Sequence, residues 1–177
     1  MGKEHKVKLD LDEGEATGFF MGLPERVIIM TPENFVSMTK TLTTTFRTAG
    51  FMMFYMMGEE KGRDDVKKAI DALREQGIVF TKRQILEAII QQSRINGWGA
   101  ANLHKYNERK GTVTIRVENN PLAMAWGKAE KPICYLLGGY WAGALSEALE
   151  REVRCTETKC MSKGDPYCEF VIEKEAQ

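Results

Sequence analysis

Glu157-Thr158-Lys159-Cys160-Met161-Ser162-Lys163-Gly164-Asp165-Pro166-Tyr167-Cys168 is the stretch on which the fold of this chain turns. Cys160 and Cys168 flank a Gly164-Asp165-Pro166 turn, so they can meet across the base of a hairpin. Glu157 sits on the incoming strand. Upstream, Cys134 lies near the start of the preceding helix, where unpaired N–H groups favour a thiolate. Three thiols and a carboxylate complete a tetrahedral shell for zinc. By formal count such a shell carries a net charge of about −2, part of which Lys159 and Lys163 are placed to offset.

The spacing leaves other readings open. Cys155 shares a strand face with Glu157, so a four-cysteine shell is an alternative. Unligated thiols would pack as small hydrophobes. A redox site is less well supported, because no C-x-x-C pair occurs.

Outward from this stretch, Val153–Lys159 and Tyr167–Glu173 read as paired strands. Pro132 opens a helix expected to reach Leu149, and Gly138, Gly139, Ala142, Gly143 and Ala144 leave one side of it nearly bare. Such a side admits close approach of the sheet or a partner helix. Trp98–Tyr106 and Thr112–Glu118 read as two strands, the second alternating cleanly. Asn119-Asn120-Pro121 ends the pair, and a loop carries Met124 and Trp126. Thr81 caps a helix through about Ile95. Another is expected over Arg63–Gln76, closed by Gly77. Thr31 and Pro32 start a helix whose apolar positions are Met38, Leu42, Phe46, Ala49 and Met53. Phe51–Met57 is apolar all round and is expected to be buried, with Gly58–Gly62 breaking the run. Arg26–Met30 reads as a short strand, and residues 1–23 as an extended lead-in.

At 177 residues a single domain spanning 1–177 is expected. The 25 basic and 25 acidic residues cancel, which argues against a strongly basic nucleic-acid binder. No apolar run is long enough to cross a membrane, and the polar N-terminus lacks a secretory pattern, so the cytoplasm is the expected location. There disulfides are rare, and clustered cysteines favour metal.

Cys134, the helix Gly138-Gly139-Tyr140-Trp141-Ala142-Gly143, Glu157, Cys160, Gly164-Asp165 and Cys168-Glu169-Phe170 together resemble the 4-vinyl-reductase domain, also called the hydrocarbon-binding domain. The motif-bearing part is 131–173. The resemblance implies a structural zinc on Cys134, Glu157, Cys160 and Cys168, and so favours Glu157 over Cys155. It also implies an α+β fold, a twisted antiparallel sheet packed against helices. That is the ligand-binding fold of phenol- and toluene-responsive activators, and of nitric-oxide-signalling and Golgi-transport (vesicle-tethering) domains. A small hydrophobic ligand and a homodimer follow as expected partners. The activators' ATPase and DNA-binding domains have no counterpart motif here, such as GxxxxGK[ST].

Candidate pocket walls are Phe54 within the Phe51–Met57 run, Trp98, Trp126, Tyr140 and Trp141, with His104 as a polar anchor. Methionine suits loosely defined apolar ligands. The leading expectation is a zinc-stabilised regulatory sensor domain with no catalytic residues. One alternative is an accessory protein in reduction of a tetrapyrrole vinyl group, although no dinucleotide fingerprint is present and a closed zinc shell leaves no substrate position. Another is a DNA-associated regulator using helices 63–76 and 82–95, the second carrying Lys82, Arg83, Gln84, Gln91, Gln92 and Arg94.

Overall fold

The computed structural model describes residues 8–10, 15–20 and 23–175. β1 (Lys8–Asp10), β2 (Glu15–Phe20) and β3 (Leu23–Arg26) form a small antiparallel sheet in that order. Pairing stops at Arg26, so the strand expected over Arg26–Met30 does not form. Beyond one bond from Val27 N–H to the Ala16 carbonyl (2.8 Å), this segment has no neighbouring strand to complete a ladder, and Ile28 is 90% exposed. A β-branched composition is not enough without a pleated surface to fit.

α1 (Pro32–Phe46) starts as its sequence dictates, with the Thr31 hydroxyl accepting the Asn34 N–H at 3.3 Å. Arg47, at φ 51°, turns the chain sharply into α2 (Thr48–Glu75). Here the structure corrects the sequence reading twice. First, α2 is one unbroken helix of 28 residues, and Gly58 and Gly62 lie inside it. A Cβ on either would collide with the Leu136 or Tyr140 carbonyl, so these glycines serve close helix contact. Second, the methionines of Phe51–Met57 are not buried. Phe54 and the glycines take the inner face, while Met52, Met53, Met56 and Met57 are exposed. The expected helix 63–76 is therefore the second half of α2, which Gly77 follows at φ 73°.

α3 (Lys82–Ile95) opens on a reciprocal cap between Thr81 and Gln84. β4 (Ala100–Asn107) and β5 (Thr112–Glu118) follow as an antiparallel pair. Residues 121–126, expected in a loop, form a short helix, α4 (Pro121–Trp126), capped by the Asn120 side chain. α5 (Tyr135–Leu149) starts three residues after Pro132. β6 (Val153–Lys159), a single 3-10 turn (Met161–Lys163) and β7 (Cys168–Lys174) complete the chain.

The main sheet is antiparallel with strand order β4-β5-β7-β6. Its inner face, including Val113, Ile115, Phe170 and Ile172, packs on Leu137, Trp141, Leu145 and Leu149 of α5 and on Leu86 and Ile89 of α3. The bare side of α5 faces α2. Gly139 and Gly143 have no room for a Cβ beside the Tyr55 and Glu59 carbonyls. The two backbones therefore pack directly, as small residues at four-residue spacing allow. The architecture is α+β, a twisted antiparallel sheet covered by helices.

Candidate metal centre

The last hairpin and the start of α5 bring four side chains together. The ligand atoms of Cys134, Glu157, Cys160 and Cys168 all lie within 4.8 Å of one another. Cys134 is the N-cap residue of α5, Glu157 lies near the end of β6, Cys160 follows that strand, and Cys168 begins β7. The hairpin is closed as the Gly-Asp-Pro sequence suggests. Gly164 takes φ 97°, and the Asp165 carboxylate accepts the Cys160 N–H at 2.9 Å.

All three cysteines are buried and free, and the sulfurs of Cys134 and Cys168 are 3.9 Å apart. That is far beyond the S–S distance of about 2 Å in a disulfide. One oxygen of Glu157 accepts the Cys134 N–H at 2.9 Å, while the other is buried with no hydrogen-bond partner. A buried carboxylate oxygen without a donor is costly. It is compensated if that oxygen ligates a cation, and the donor set fits this. Three soft sulfurs and one carboxylate converging on one point could hold a metal ion.

The electrostatics agree with a charge shared across the cluster. Burial first, and then the neighbouring Cys160, push the Glu157 carboxyl up to about 8. Hydrogen bonds from the Cys134 and Cys168 thiols hold Cys160 far below the ordinary thiol range. Donation to Cys160 and Cys168, together with burial, pushes Cys134 well above it. In an enclosed space without a cation, one thiolate forms and resists a second.

Asn120, read in the sequence only as the end of a strand pair, is an essential neighbour. Its amide donates to the sulfurs of Cys134 (3.4 Å) and Cys168 (3.6 Å), while its carbonyl oxygen caps α4 at the N–H groups of Leu122 and Ala123. The Asn-Pro pair at a helix start was the available signal. The Met161 N–H also reaches the Cys168 sulfur at 3.5 Å. Lys159 and Lys163 do not act as expected, since they engage Tyr167 and Asp165 respectively. Cys155 lies in the apolar core and is not among the four.

Two cavities flank Cys134. On the α1 side, Phe35, Phe51, Phe54, Trp126 and Tyr135 enclose a recess of only about 10 Å³. On the other side, a cleft of about 470 Å³ runs between Met52, Tyr55 and Met56 of α2, Pro132 and Tyr135, and Val153–Glu157 of β6. The Tyr55 hydroxyl accepts the Cys155 N–H at 3.0 Å within it. Of the pocket residues expected from sequence, Phe54 and Trp126 therefore share the small recess. Trp98 packs at the core's edge, Tyr140 stacks edge-on against Trp141, and His104 lies exposed at a bulge in β4.

No helix among the described residues is long and apolar enough to cross a membrane. Residues 113–174 match the family model of the 4-vinyl-reductase domain. The uncharacterized protein MJ0855 of Methanocaldococcus jannaschii is 31% identical over 124 residues, which is 69% of this chain and 45% of that protein. The chain thus spans less than half the length of this relative. The phenol-responsive sensory domain of the transcription activator PoxR, solved with phenol, superposes with a TM-score of 0.77 at 19% identity, covering 95% of this chain and 84% of that one. A trafficking protein particle complex subunit 3 from Naegleria fowleri, covalently bound to palmitic acid, gives a TM-score of 0.59 at 20% identity over 82% of this chain and 95% of that one. At these identities the likeness is one of fold. The matched C-terminal third contains all four residues of the cluster, and through it the chain belongs to the 4-vinyl-reductase domain family.

Proposed function

We propose that this protein is a zinc-stabilised sensor domain for a small hydrophobic, aromatic or hydrocarbon-like molecule, and that it acts in regulation as a homodimer. The observation that carries this reading is the cleft of about 470 Å³ that shares Cys134 and Glu157 with the metal cluster. Zinc–thiolate bonds of about 2.3 Å in a tetrahedron put neighbouring sulfurs about 3.8 Å apart. The Cys134–Cys168 separation of 3.9 Å matches that edge. Four protein ligands leave zinc no open position, so its role is to tie the final hairpin to α5.

The cleft then supplies binding. Its walls of methionine, tyrosine, proline and valine suit an apolar molecule and adapt to its shape. Burial first raises Tyr55 to about 12, so its hydroxyl stays protonated and remains a donor for a ligand oxygen. Members of the same fold hold phenol and palmitic acid, which supports an apolar ligand class.

Two measurements test the proposal. Elemental analysis of purified protein is expected to give one zinc per chain, and Cys160→Ser to abolish it; protein without stoichiometric metal would refute the structural role. Toluene titrated into zinc-loaded protein with labelled methionine methyls is expected to shift the Met52 and Met56 signals and leave Met124 unchanged. Unmoved signals at saturating toluene would remove the ligand site.

A further inference from the structure

Exposed large apolar side chains are concentrated in one part of the chain. Ile28, Ile29 and Met30 precede α1, Met38, Leu42 and Phe46 run along it, and Met53 and Met57 continue on α2. The four-residue spacing of Met38, Leu42 and Phe46 aligns them on one side of α1, away from buried Val36, Thr39 and Thr43. Phe46 is the last residue of α1 and Met53 lies in the second turn of α2, so the two stripes converge on the corner at Arg47.

The segment ahead of α1 is equally unpartnered. The β1–β2–β3 sheet makes no extensive contact with the helices or the main sheet among the described residues. It is joined to α1 by a segment in which Ile28 and Ile29 are 90% and 65% exposed. Sheets this small need a helix or another apolar face against them to be stable. The chain thus presents an apolar face without a cover and an arm without a support.

We infer that a second copy of this chain seats on the α1–α2 corner, with the N-terminal arm of each copy lying over the partner. The inference deepens the homodimer part of the proposed function by placing its interface. Three observations favour a second copy over other occupants. The stripes contain no charged side chain, so the face is complementary to itself, as a two-fold contact requires. The exposed apolar side chains amount to on the order of 1,000 Å², against about 800 Å² per partner in a standard interface. The arm supplies a segment of this same chain that lacks a partner within its own copy. The interface also lies close to the ligand cleft, because Met52 and Met56 line the cleft on the helix that presents Met53 and Met57.

Sedimentation velocity on zinc-loaded full-length protein from 1 to 100 µM tests this. Wild type is expected to run as a dimer throughout. The double substitution Met53→Glu/Met57→Glu places like charges across the axis and is expected to weaken dimerisation at least 100-fold, with helical signal and zinc content unchanged. Ile28→Asp/Ile29→Asp is expected to weaken it at least tenfold, because it alters the arm alone. Wild-type protein that stays monomeric at 100 µM overturns the dimer itself. A dimer that either double variant leaves intact overturns this placement of the interface, while the homodimer reading stands.

Discussion

Asn120 shows how one side chain can serve both a local and a distant purpose. Its oxygen caps α4 and its amide donates to two sulfurs of the cluster, so it fixes the loop that covers the metal site. Asn120→Ala removes a cap and two charge-assisted donors together. It is expected to cost about 2 kcal/mol in stability and to weaken zinc binding by roughly 10- to 100-fold, read by denaturant titration and chelator competition. Tyr55 gives a prediction in pH. Burial is the main cause of its rise from 10.0 to about 12, so the folded state retains its proton more strongly than the unfolded chain. Its contribution is fully present below pH 10 and is lost as pH rises toward 12. Urea midpoints are expected to fall across this range in wild type and to fall less in Tyr55→Phe. Residues with a fixed chemical vocabulary were the most legible in the sequence. The cysteines and Glu157 could be named because their donor types and turn spacing narrow the geometry. Tyr55 and Asn120 were missed because an aromatic or amide side chain has many equivalent uses until its neighbours are known.

The contact between α2 and α5 is the element-scale determinant of the fold. Gly58 and Gly62 on one helix and Gly139 and Gly143 on the other let peptide groups touch where side chains would normally intervene. Gly143→Ala would drive its methyl into the Glu59 carbonyl, and backbone on both sides leaves nothing flexible to yield. We expect a loss of about 3 kcal/mol, at the upper end of the cost of overpacking, measurable as a lowered Tm. The same substitution at Gly77 meets no neighbouring atom, although its φ of 73° still disfavours alanine. The sequence revealed the bare side of α5 but not what lies against it. Gly58 and Gly62 read locally as a break because glycine weakens a helix by about 1 kcal/mol in isolation. Tertiary packing overrides that preference, and the partner sits some eighty residues away in the chain. The capped helices and alternating strands, whose signals are local, were placed to within a few residues. The short helix over Pro121–Trp126 was not, since six residues carry too little periodicity to register.

At the scale of the whole molecule, the metal cluster joins parts of the chain that otherwise meet only through the core. Cys134 begins α5, while Glu157, Cys160 and Cys168 belong to the closing hairpin. Removing zinc with a strong chelator at neutral pH is expected to lower Tm by more than 10 °C and to raise hydrogen exchange first in β6 and β7, with α3 protected longest; an unchanged melting curve would show that the hairpin holds without the ion. The apolar interior and the order of elements were visible in the sequence, whereas the exposure of the methionines was not. An all-apolar run carries no record of which side faces water, and only the placement of Phe54 and the glycines against α1 and α5 assigns it. The unbroken length of α2 has its own consequence. Twenty-eight residues form a rod of about 42 Å, clamped midway where its peptide groups meet those of α5. A rod held at its middle behaves as a seesaw. Pressure on Met52 from a guest molecule tips one arm, and the other, beyond Arg63, swings the opposite way and carries the Ile78–Phe80 turn with it. A few degrees of rotation become a displacement of about 2 Å at a tip roughly 20 Å from the pivot, so occupancy at one end can be read mechanically at the other.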